Sequence, residues 1–282
     1  MAQPTIDQTF ITKFERDTHL TYRQMGSKYR GLVRTDADVN AEKARFFILG
    51  SITTSGKGRG GDIPVSNPEH TYKDCTMQDE YVATLVDKLD LTKLSTDVRG
   101  GYVKAAASAF GITTDKIIVD AMTAGATLTE GDYTGNMTRN FVLDVAAQMD
   151  ENEVPRDGRR FWGVSPAQWS HLHAVDEFTR ADYNGPADLP FKKMGNTMKT
   201  WNDFHFFVNN RCPGSGTAQC KSYAWHMDAV GHGINADVST TWDWENLKSA
   251  WSMAGSMSMG ACVIDPTGLI EARLKDNLAL PA

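Results

Sequence analysis

A glycine-rich tip between two extended segments is the feature of this sequence that most constrains its fold. Residues 46–54 are largely apolar and β-prone, the stretch SGKGRGG follows, and a polar return runs through His70 and Tyr81 to residue 90. A nine-residue strand is roughly 30 Å long at about 3.3 Å per residue, and an isolated two-stranded hairpin is marginally stable in water. We therefore expect residues 46–90 to form a long hairpin that lies on a neighbouring copy of the chain.

The tip does not match a nucleotide-binding phosphate loop. Five residues separate Gly50 from Gly56, where the phosphate loop has four, and Lys57 is followed by Gly58 in place of a magnesium-binding Ser or Thr. The glycines of the tip favour a flexible turn instead, because glycine readily adopts positive φ values.

Length and composition are typical of a globular protein. The 282 residues suffice for two subdomains or for one core with large excursions, and 41% of them are hydrophobic. No apolar run approaches the roughly 18 residues of a membrane-spanning helix, and the start of the sequence does not resemble a secretory signal.

The four cysteines, Cys75, Cys212, Cys220 and Cys262, form no Cys-x-x-Cys pair. We therefore expect reduced thiols in a protein that matures in a cytoplasm.

Charge argues against tight binding of nucleic acid by the whole chain. The formal net charge is −6, whereas wrapping a nucleic acid backbone requires a basic surface. Residues 1–34 are an exception with six basic side chains against three acidic ones. This segment fits a solvated arm, an arm docked on a neighbour's acidic surface, or a DNA-binding arm. Its basic residues are Lys13, Arg16, Arg23, Lys28, Arg30 and Arg34.

Helical periodicity occurs at four places. Residues 10–34 have amphipathic spacing, and residues 97–124 are predicted to form one long alanine-rich helix that stops or bends at Gly111. Residues 137–150 carry a single apolar stripe. The sequence Ser165-Pro166-Ala167-Gln168 is a helix start and predicts a helix at 169–178.

Strands are predicted between these helices and toward the C-terminus. The predicted strands are residues 159–164, 205–208, 223–227, 247–255 and 257–264. The turn Asp265-Pro266-Thr267-Gly268 closes the last of them.

A metal site is the strongest competing chemistry. His171 and His173 form a His-x-His pair with Glu177 nearby. Positions two apart on a helix point about 200° apart, so only His173 and Glu177 could share an ion, and such a site lacks ligands. Together with His226 they define the alternative function, a soluble metal-dependent α/β enzyme. No Gly-x-Ser-x-Gly elbow is present, and we predict no catalytic residue, metal or cofactor.

The order of arm, long hairpin, long helix, compact α/β region and returning strands resembles the tailed-bacteriophage major capsid protein family, which has the Hong Kong 97 coat fold. Residues 236–274, ADVSTTWDWENLKSAWSMAGSMSMGACVIDPTGLIEARL, look like the family's two long peripheral strands with a turn around Trp244–Asn246. Residues 194–210, MGNTMKTWNDFHFFVNN, look like the segment before its subunit-edge strand. Alanine-rich 105–109 with Asp115 matches its spine helix pattern.

The resemblance implies an α+β fold with four parts. These are an N-terminal arm (1–45), an extended loop (46–84), a peripheral domain with the spine helix (85–132 and 234–262) and an axial α/β domain (133–233 and 263–282).

The resemblance also implies a function and a set of partners. The chain is expected to be a non-enzymatic coat protein that assembles with itself, as pentamers and hexamers, into the icosahedral shell of a tailed bacteriophage. The shell encloses double-stranded DNA without sequence-specific binding and involves no membrane. An arm too short for a scaffolding extension implies a separate scaffolding protein, and a portal is expected too. Assembly is expected in the host cytoplasm. Some relatives crosslink subunits through a lysine in this loop, where Lys57 lies, but no partner for it is identifiable.

Charge suggests how the tip could find a neighbour. We expect the basic tip to dock on an acidic patch of an adjacent subunit and to fix register more than affinity. The tip residues are Gly56, Lys57, Gly58, Arg59, Gly60 and Gly61. The candidate acidic partners are Glu69, Asp74, Asp79, Glu80, Asp87 and Asp90.

Overall fold

The computed structural model describes residues 26–36, 42–50, 52–89, 98–179 and 198–278. The strands in this part of the chain are Arg34–Asp36 (β1), Lys43–Leu49 (β2), His70–Thr76 (β3), Gln78–Asp87 (β4), Leu128–Glu130 (β5), Arg160–Val164 (β6), Met198–Trp201 (β7), Phe204–Val208 (β8), Cys220–His226 (β9), Val230–Glu245 (β10), Ala250–Val263 (β11) and Leu269–Leu274 (β12). The helices are Val98–Gly125 (α1), Arg139–Glu151 (α2), Pro166–His173 (α3) and Asp176–Thr179 (α4).

The strands form three sheets. Four strands pair in the order β1-β10-β11-β4, six pair in the order β5-β12-β9-β6-β8-β7, and β2 pairs with β3 as a hairpin. The antiparallel pair β10–β11, here called the ribbon, extends from Val230 opposite Val263 to Glu245 opposite Ala250. The fold is therefore α+β, as expected.

Helix α1 packs on one face of the ribbon. The contact is a hydrophobic cluster that includes Phe110, Ile117, Met253, Met257 and Met259. Methionine suits this position because its unbranched side chain fills irregular gaps between a helix and a strand. The helix and the ribbon are thus joined along much of their length.

The six-stranded sheet is apolar on both faces. Phe206 of β8 belongs to the cluster that contains Val142 and Val145 of α2. Its neighbour Phe207 points to the opposite face, into the cluster that contains Ile118 and Met122 of α1. Successive side chains of a strand alternate between faces, so consecutive apolar residues indicate a strand that is covered on both sides.

The segment 26–36, here called the strap, connects α1 with the six-stranded sheet and with the four-stranded sheet. The carboxylate Oδ1 of Asp115 in α1 accepts hydrogen bonds from the backbone N–H groups of Lys28 and Tyr29, at 2.9 and 3.2 Å. The buried Tyr29 ring stacks on Trp225 of β9 with 5.3 Å between centroids. The strap ends in β1, which pairs in parallel with β10 at Gly231–Gly233.

Several sequence predictions are confirmed. Helix α1 is one long helix, and α2 begins where Thr138 accepts a hydrogen bond from the N–H of Phe141. Ser165 and Gln168 form the capping box that starts α3. The turn at 265–268 is also present, with Asp265 accepting from the N–H of Thr267.

The helix does not stop at Gly111, which lies within Val98–Gly125. Instead, a Cβ atom on Gly111 would overlap the backbone of Gly26. This glycine is therefore the point where the strap crosses α1 in backbone contact.

Other boundaries also differ from expectation. The prediction of a helix at 10–34 is wrong over residues 26–34. The strap forms a 3-10 turn and a strand there, because its side chains bond to the sheet. Residues 10–25 lie outside the described residues. The predicted helix at 169–178 is two helices separated at residues 174–175. The two strands predicted at 247–264 are the single strand β11, because pairing with β10 and β4 carries it through Gly255.

The predicted hairpin is shorter than expected. Its paired arms are the seven-residue strands β2 and β3, with Lys43 opposite Thr76 and Leu49 opposite His70. Tyr81 is not in the hairpin, because the chain changes sheets at Met77 and continues as β4 on the edge of β11. None of the described helices is long and apolar enough to cross a membrane.

A buried histidine makes the stability of the fold depend on pH. His232 of β10 is fully buried, and neither ring nitrogen has a hydrogen-bond partner among the described residues. Burial, and next the charge of Arg30, lower the pKa of His232 to about 4, whereas Asp237 acts in the opposite direction.

We predict that acid destabilises the subunit through His232. The unfolded chain takes up the proton near pH 6.5 and the folded chain only near pH 4, so stability is lost as pH falls between these values, by about 3 kcal/mol. Urea unfolding of the unassembled subunit at pH 6.5 and pH 4 measures this loss. His232→Leu should remove that part of the pH dependence, and the exposed His70→Leu should retain it. An equal loss in wild type and His232→Leu would contradict the prediction.

Candidate assembly surface

The base of the hairpin lies on the face of the ribbon opposite α1. Three glycines of the ribbon make this possible, because they carry no side chain of their own that would hold the two sheets apart. A Cβ atom on Gly231 would lie 2.7 Å from the Phe46 ring, and one on Gly233 would lie 2.8 Å from the Cβ of Ala44. A Cβ atom on Gly260 would overlap the backbone carbonyl oxygen of Thr76. We call this contact the seat of the hairpin.

The seat has a small hydrophobic core of its own. Ala44, Phe46 and Cys75 from the hairpin and Ile264 from the body are buried in it. These hairpin residues occupy one face of the two strands, since positions 44, 46 and 75 all point inward. One face of the hairpin is therefore covered within the subunit.

The opposite face of the hairpin, here called the outer face, is apolar and exposed. Phe47, Leu49 and Tyr72 are 75%, 60% and 53% exposed, and Phe47 is paired directly with Tyr72 across the two strands. Arg45 borders them, with its guanidinium 3.9 Å from the centroid of the Tyr72 ring. Contiguous apolar side chains exposed in this way mark an interaction surface.

The sequence contained a signal for this face. Residues 46–49 are Phe-Phe-Ile-Leu, so both faces of the strand are apolar. A strand with one covered face alternates apolar and polar residues, whereas an unbroken apolar run predicts cover on both sides. The described part of the chain covers only one of these two faces.

The predicted tip residues project beyond the paired strands. Residues 52–69 have no regular structure apart from a turn at Arg59–Gly60, and residues 56–61 are exposed. The N–H of Gly61 donates to the carbonyl of Gly58 at 3.0 Å, and Gly60 has a φ of 84°, which favours glycine. Ile63 and Val65 on the return segment are also exposed.

The six candidate acidic partners do not form one patch. Glu69 stands at the start of the return, where its carbonyl accepts from the N–H of Gly50 at 2.8 Å. Asp74 is paired within the subunit with Arg45 at 2.8 Å, and this hydrogen bond lowers the pKa of Asp74.

The remaining candidates lie along β4 or outside the described residues. Asp79 and Asp87 are exposed on the same face of β4, roughly 26 Å apart along the strand. Glu80 points to the opposite face and is half-buried. Asp90 lies outside the described residues.

Strand β4 offers a second candidate surface. Among the described strands, it pairs with β11 on one side and with none on the other. Tyr81 and Leu85 are exposed between Asp79 and Asp87, on the face opposite α1. Natural proteins usually cover or charge such edges. This edge is therefore a candidate to receive another chain.

The residues of the metal alternative are engaged elsewhere. The His173 ring packs edge-on against Trp169 and Phe178, and burial is the main cause that lowers its pKa. Glu177 forms an ion pair with Arg139 at 3.1 Å, and His226 lies 3.1 Å from Asp157. The described residues contain no group of three ligands that could hold a metal ion.

The basic arm is partly engaged as well. Lys28 donates through Nζ to the carbonyl of Val208 at 2.9 Å, and Arg30 pairs with Asp237. Lys13, Arg16 and Arg23 lie outside the described residues. The described part of the arm thus uses its charge to bind the subunit's own surface.

Comparisons with known proteins agree on one family and one fold. A family model described as "Phage capsid protein" matches residues 6–276. The capsid structure of cyanophage P-SCSP1u superposes with a TM-score of 0.74 at 16% identity, covering 90% of this chain and 89% of that one. A structure from Mycobacterium phage Che8 superposes with a TM-score of 0.69 at 18% identity, covering 88% of this chain and 92% of that one. The capsid of Ralstonia phage GP4 superposes with a TM-score of 0.69 at 11% identity, covering 93% of this chain and 94% of that one. No curated protein matches the sequence.

We predict that Gly260→Ala loosens the seat. The added methyl group would meet the Thr76 carbonyl, a backbone atom that cannot rotate away, so we expect a loss of about 1–3 kcal/mol in the free energy of unfolding. Hydrogen exchange should accelerate at the amides of β2 and β3 more than elsewhere. Gly56→Ala is the matched control, because no atom lies near its Cβ position. Unchanged exchange in β2 and β3 of Gly260→Ala would show that the seat does not depend on this contact.

Proposed function

This chain belongs to the phage capsid protein family, and we propose that the seated hairpin is the part of each subunit that ties it to the next one in the shell. The protein is a non-enzymatic major capsid protein of a tailed bacteriophage with the Hong Kong 97 coat fold, and its copies form the icosahedral shell of the virion. The enzyme alternative has no support. The proposal concerns how neighbouring copies hold on to one another.

The outer face of the hairpin is the observation that carries this proposal. Phe47, Leu49 and Tyr72 are exposed, and the described part of the chain packs against the opposite face of the same strands, where the seat holds them. Burial of a large apolar side chain contributes roughly 1.5–3 kcal/mol. Three such side chains give a contact of useful strength, and a shell repeats it at every subunit.

The basic tip adds orientation to this contact. Lys57 and Arg59 stand at the end of the projecting loop, and residues 52–69 make few contacts with their own subunit. We infer that they meet the exposed carboxylate of Asp79 on a neighbour's β4, beside Tyr81, because Asp87 lies too far away for the same tip to reach and already accepts the N–H of Leu89 at 2.7 Å. Since Asp74 is already paired with Arg45, it is the least suitable of the candidate partners. Exposed charges of this kind set register more than affinity.

The finer organisation is proposed on the family resemblance. We propose the four-part division with an arm at 1–45, an extended loop at 46–84, a peripheral domain at 85–132 and 234–262, and an axial domain at 133–233 and 263–282. The long helix and the ribbon from residue 234 onward support the peripheral part, and strands β6 to β9 with α2 support the axial part. We further propose pentamers and hexamers, a separate scaffolding protein, a portal, enclosed DNA without sequence-specific contacts, and assembly in the host cytoplasm.

The outer face can be tested by making it polar. We predict that Phe47→Ser combined with Leu49→Ser leaves the subunit folded, because these side chains contribute little to its own core, but reduces shell yield at least tenfold. Circular dichroism monitors folding, and sedimentation with negative-stain microscopy monitors assembly. Leu143→Ser on α2 is the control, since this leucine is also exposed but lies away from the hairpin. Normal shells from the double variant would refute the role of this face.

The tip can be tested by charge reversal. Lys57→Glu combined with Arg59→Glu should slow or prevent shell formation without changing the thermal unfolding of the subunit, because both side chains are exposed. The defect should be strongest at low salt, where electrostatic contacts are least screened. Lys104→Glu combined with Lys116→Glu, on the exposed side of α1, controls for net charge. Wild-type assembly rates at physiological salt would remove the tip from the proposal.

A further inference from the structure

Two of the four cysteines meet across the seat of the hairpin. Cys75 belongs to β3 and is fully buried, whereas Cys262 belongs to β11 and is half-buried. Both are part of the same small hydrophobic core. The two thiols are close enough for each to shift the pKa of the other. The two sulfur atoms therefore link a strand of the hairpin with a strand of the ribbon.

The strand geometry explains why these side chains meet. Gly260 and Cys262 are two residues apart on β11, so they face the same side of the sheet. A Cβ atom on Gly260 would lie 3.0 Å from the sulfur of Cys75. Across the ribbon, Cys262 stands opposite Gly231, whose Cβ position faces the ring of Phe46 in β2. Cys262 thus sits under the hairpin where the glycines allow the closest approach.

We propose that Cys75 and Cys262 form an oxidisable pair that closes into an intrachain disulfide outside the reducing cell and so fastens the hairpin to the ribbon. A disulfide bond is about 2.0 Å long, and the two cysteines already lie in the same small core under the hairpin, so their sulfur atoms need only a short approach. In the reduced chain the hairpin can lift and settle again while subunits find their places. In the oxidised chain it is held in its seat.

The oxidant is a small disulfide, such as oxidised glutathione. The thiolate of half-exposed Cys262 attacks one glutathione sulfur, forms a mixed disulfide and releases one glutathione thiolate. The thiolate of Cys75 then attacks the sulfur of Cys262, the mixed disulfide breaks and the second glutathione thiolate leaves. The two cysteine protons end on the two glutathione molecules, and two electrons pass from the protein to the oxidant.

The surroundings of the two thiols suit these roles. Contact with the Cys262 thiol lowers the pKa of Cys75, although burial acts in the opposite direction. The same contact and burial raise the pKa of Cys262. Attack by Cys262 is therefore slow at neutral pH and accelerates as pH rises.

The other two cysteines do not have this arrangement. Cys212 donates to the carbonyl of Gly163 at 3.7 Å, and burial raises its pKa to about 12. Cys220 accepts from Nε2 of Gln168 at 3.4 Å, and burial raises its pKa as well. Both lie away from the hairpin and are expected to remain thiols.

The experiment is controlled oxidation of the full-length chain with oxidised glutathione at pH 8, followed by thiol counting and peptide mass spectrometry without reduction. We expect the number of free thiols to fall from four to two. Trypsin should release residues 74–88 linked to residues 249–273. Oxidation should raise the Tm by roughly 5–10 °C, since the bond joins residues far apart in the chain. Hydrogen exchange in β2 and β3 should slow at least threefold, and a reducing agent should reverse both effects.

Cysteine variants distinguish a disulfide between Cys75 and Cys262 from oxidation of the other cysteines. Cys262→Ser should keep three thiols and show no rise in Tm, whereas Cys212→Ser should still form the linked peptides. The proposal is overturned if the oxidised wild-type chain still has four free thiols. It is also overturned if glutathione stays on Cys262 and no disulfide to Cys75 forms. Formation of the bond with no change in Tm or in exchange at β2 and β3 would refute its fastening role. These wild-type measurements decide the matter even if a variant fails to fold, and none of them depends on shell formation.

Discussion

The close contact between the hairpin and the ribbon is the constraint on which the rest of the structure depends. It is made possible by the absence of side chains at Gly231, Gly233 and Gly260, which lets two layers of backbone approach more closely than ordinary packing permits. The contact fixes which face of the hairpin is inside. It thereby decides that Phe47, Leu49 and Tyr72 face outward, and it directs the tip away from the body.

A second set of contacts holds the body together beneath the hairpin. The strap crosses α1 at Gly111, bonds to Asp115 and inserts Tyr29 against Trp225 of the six-stranded sheet. It ends by pairing with β10 beside the seat. The helix, the ribbon and the six-stranded sheet are therefore joined through one short segment. An exposed loop can transmit force to a neighbour only if its base is anchored to such a frame.

The sequence predicted the regular elements well and the tertiary contacts poorly. Helices α1 and α2 and the capping box at Ser165 follow from local periodicity and capping, which depend on neighbours along the chain. The extent of the hairpin does not follow from local sequence. The chain leaves the hairpin sheet at Met77 and pairs with β11, and this pairing depends on the edge that β11 presents. Gly111 and Gly260 were equally unpredictable, since their roles depend on Gly26 and Thr76, distant in sequence. The acidic candidates were grouped by sequence proximity, although alternation along β4 places Glu80 and Asp79 on opposite faces.

The central claim is that a neighbouring copy covers the outer face of the hairpin. Its most direct test is a cryo-electron microscopy reconstruction of the particles that the wild-type chain forms. The account predicts closed shells in which Phe47, Leu49 and Tyr72 are buried against an adjacent subunit while the seat at Gly260 is preserved. Shells in which this face remains open to solvent, or in which residues of its own subunit cover it, would contradict it.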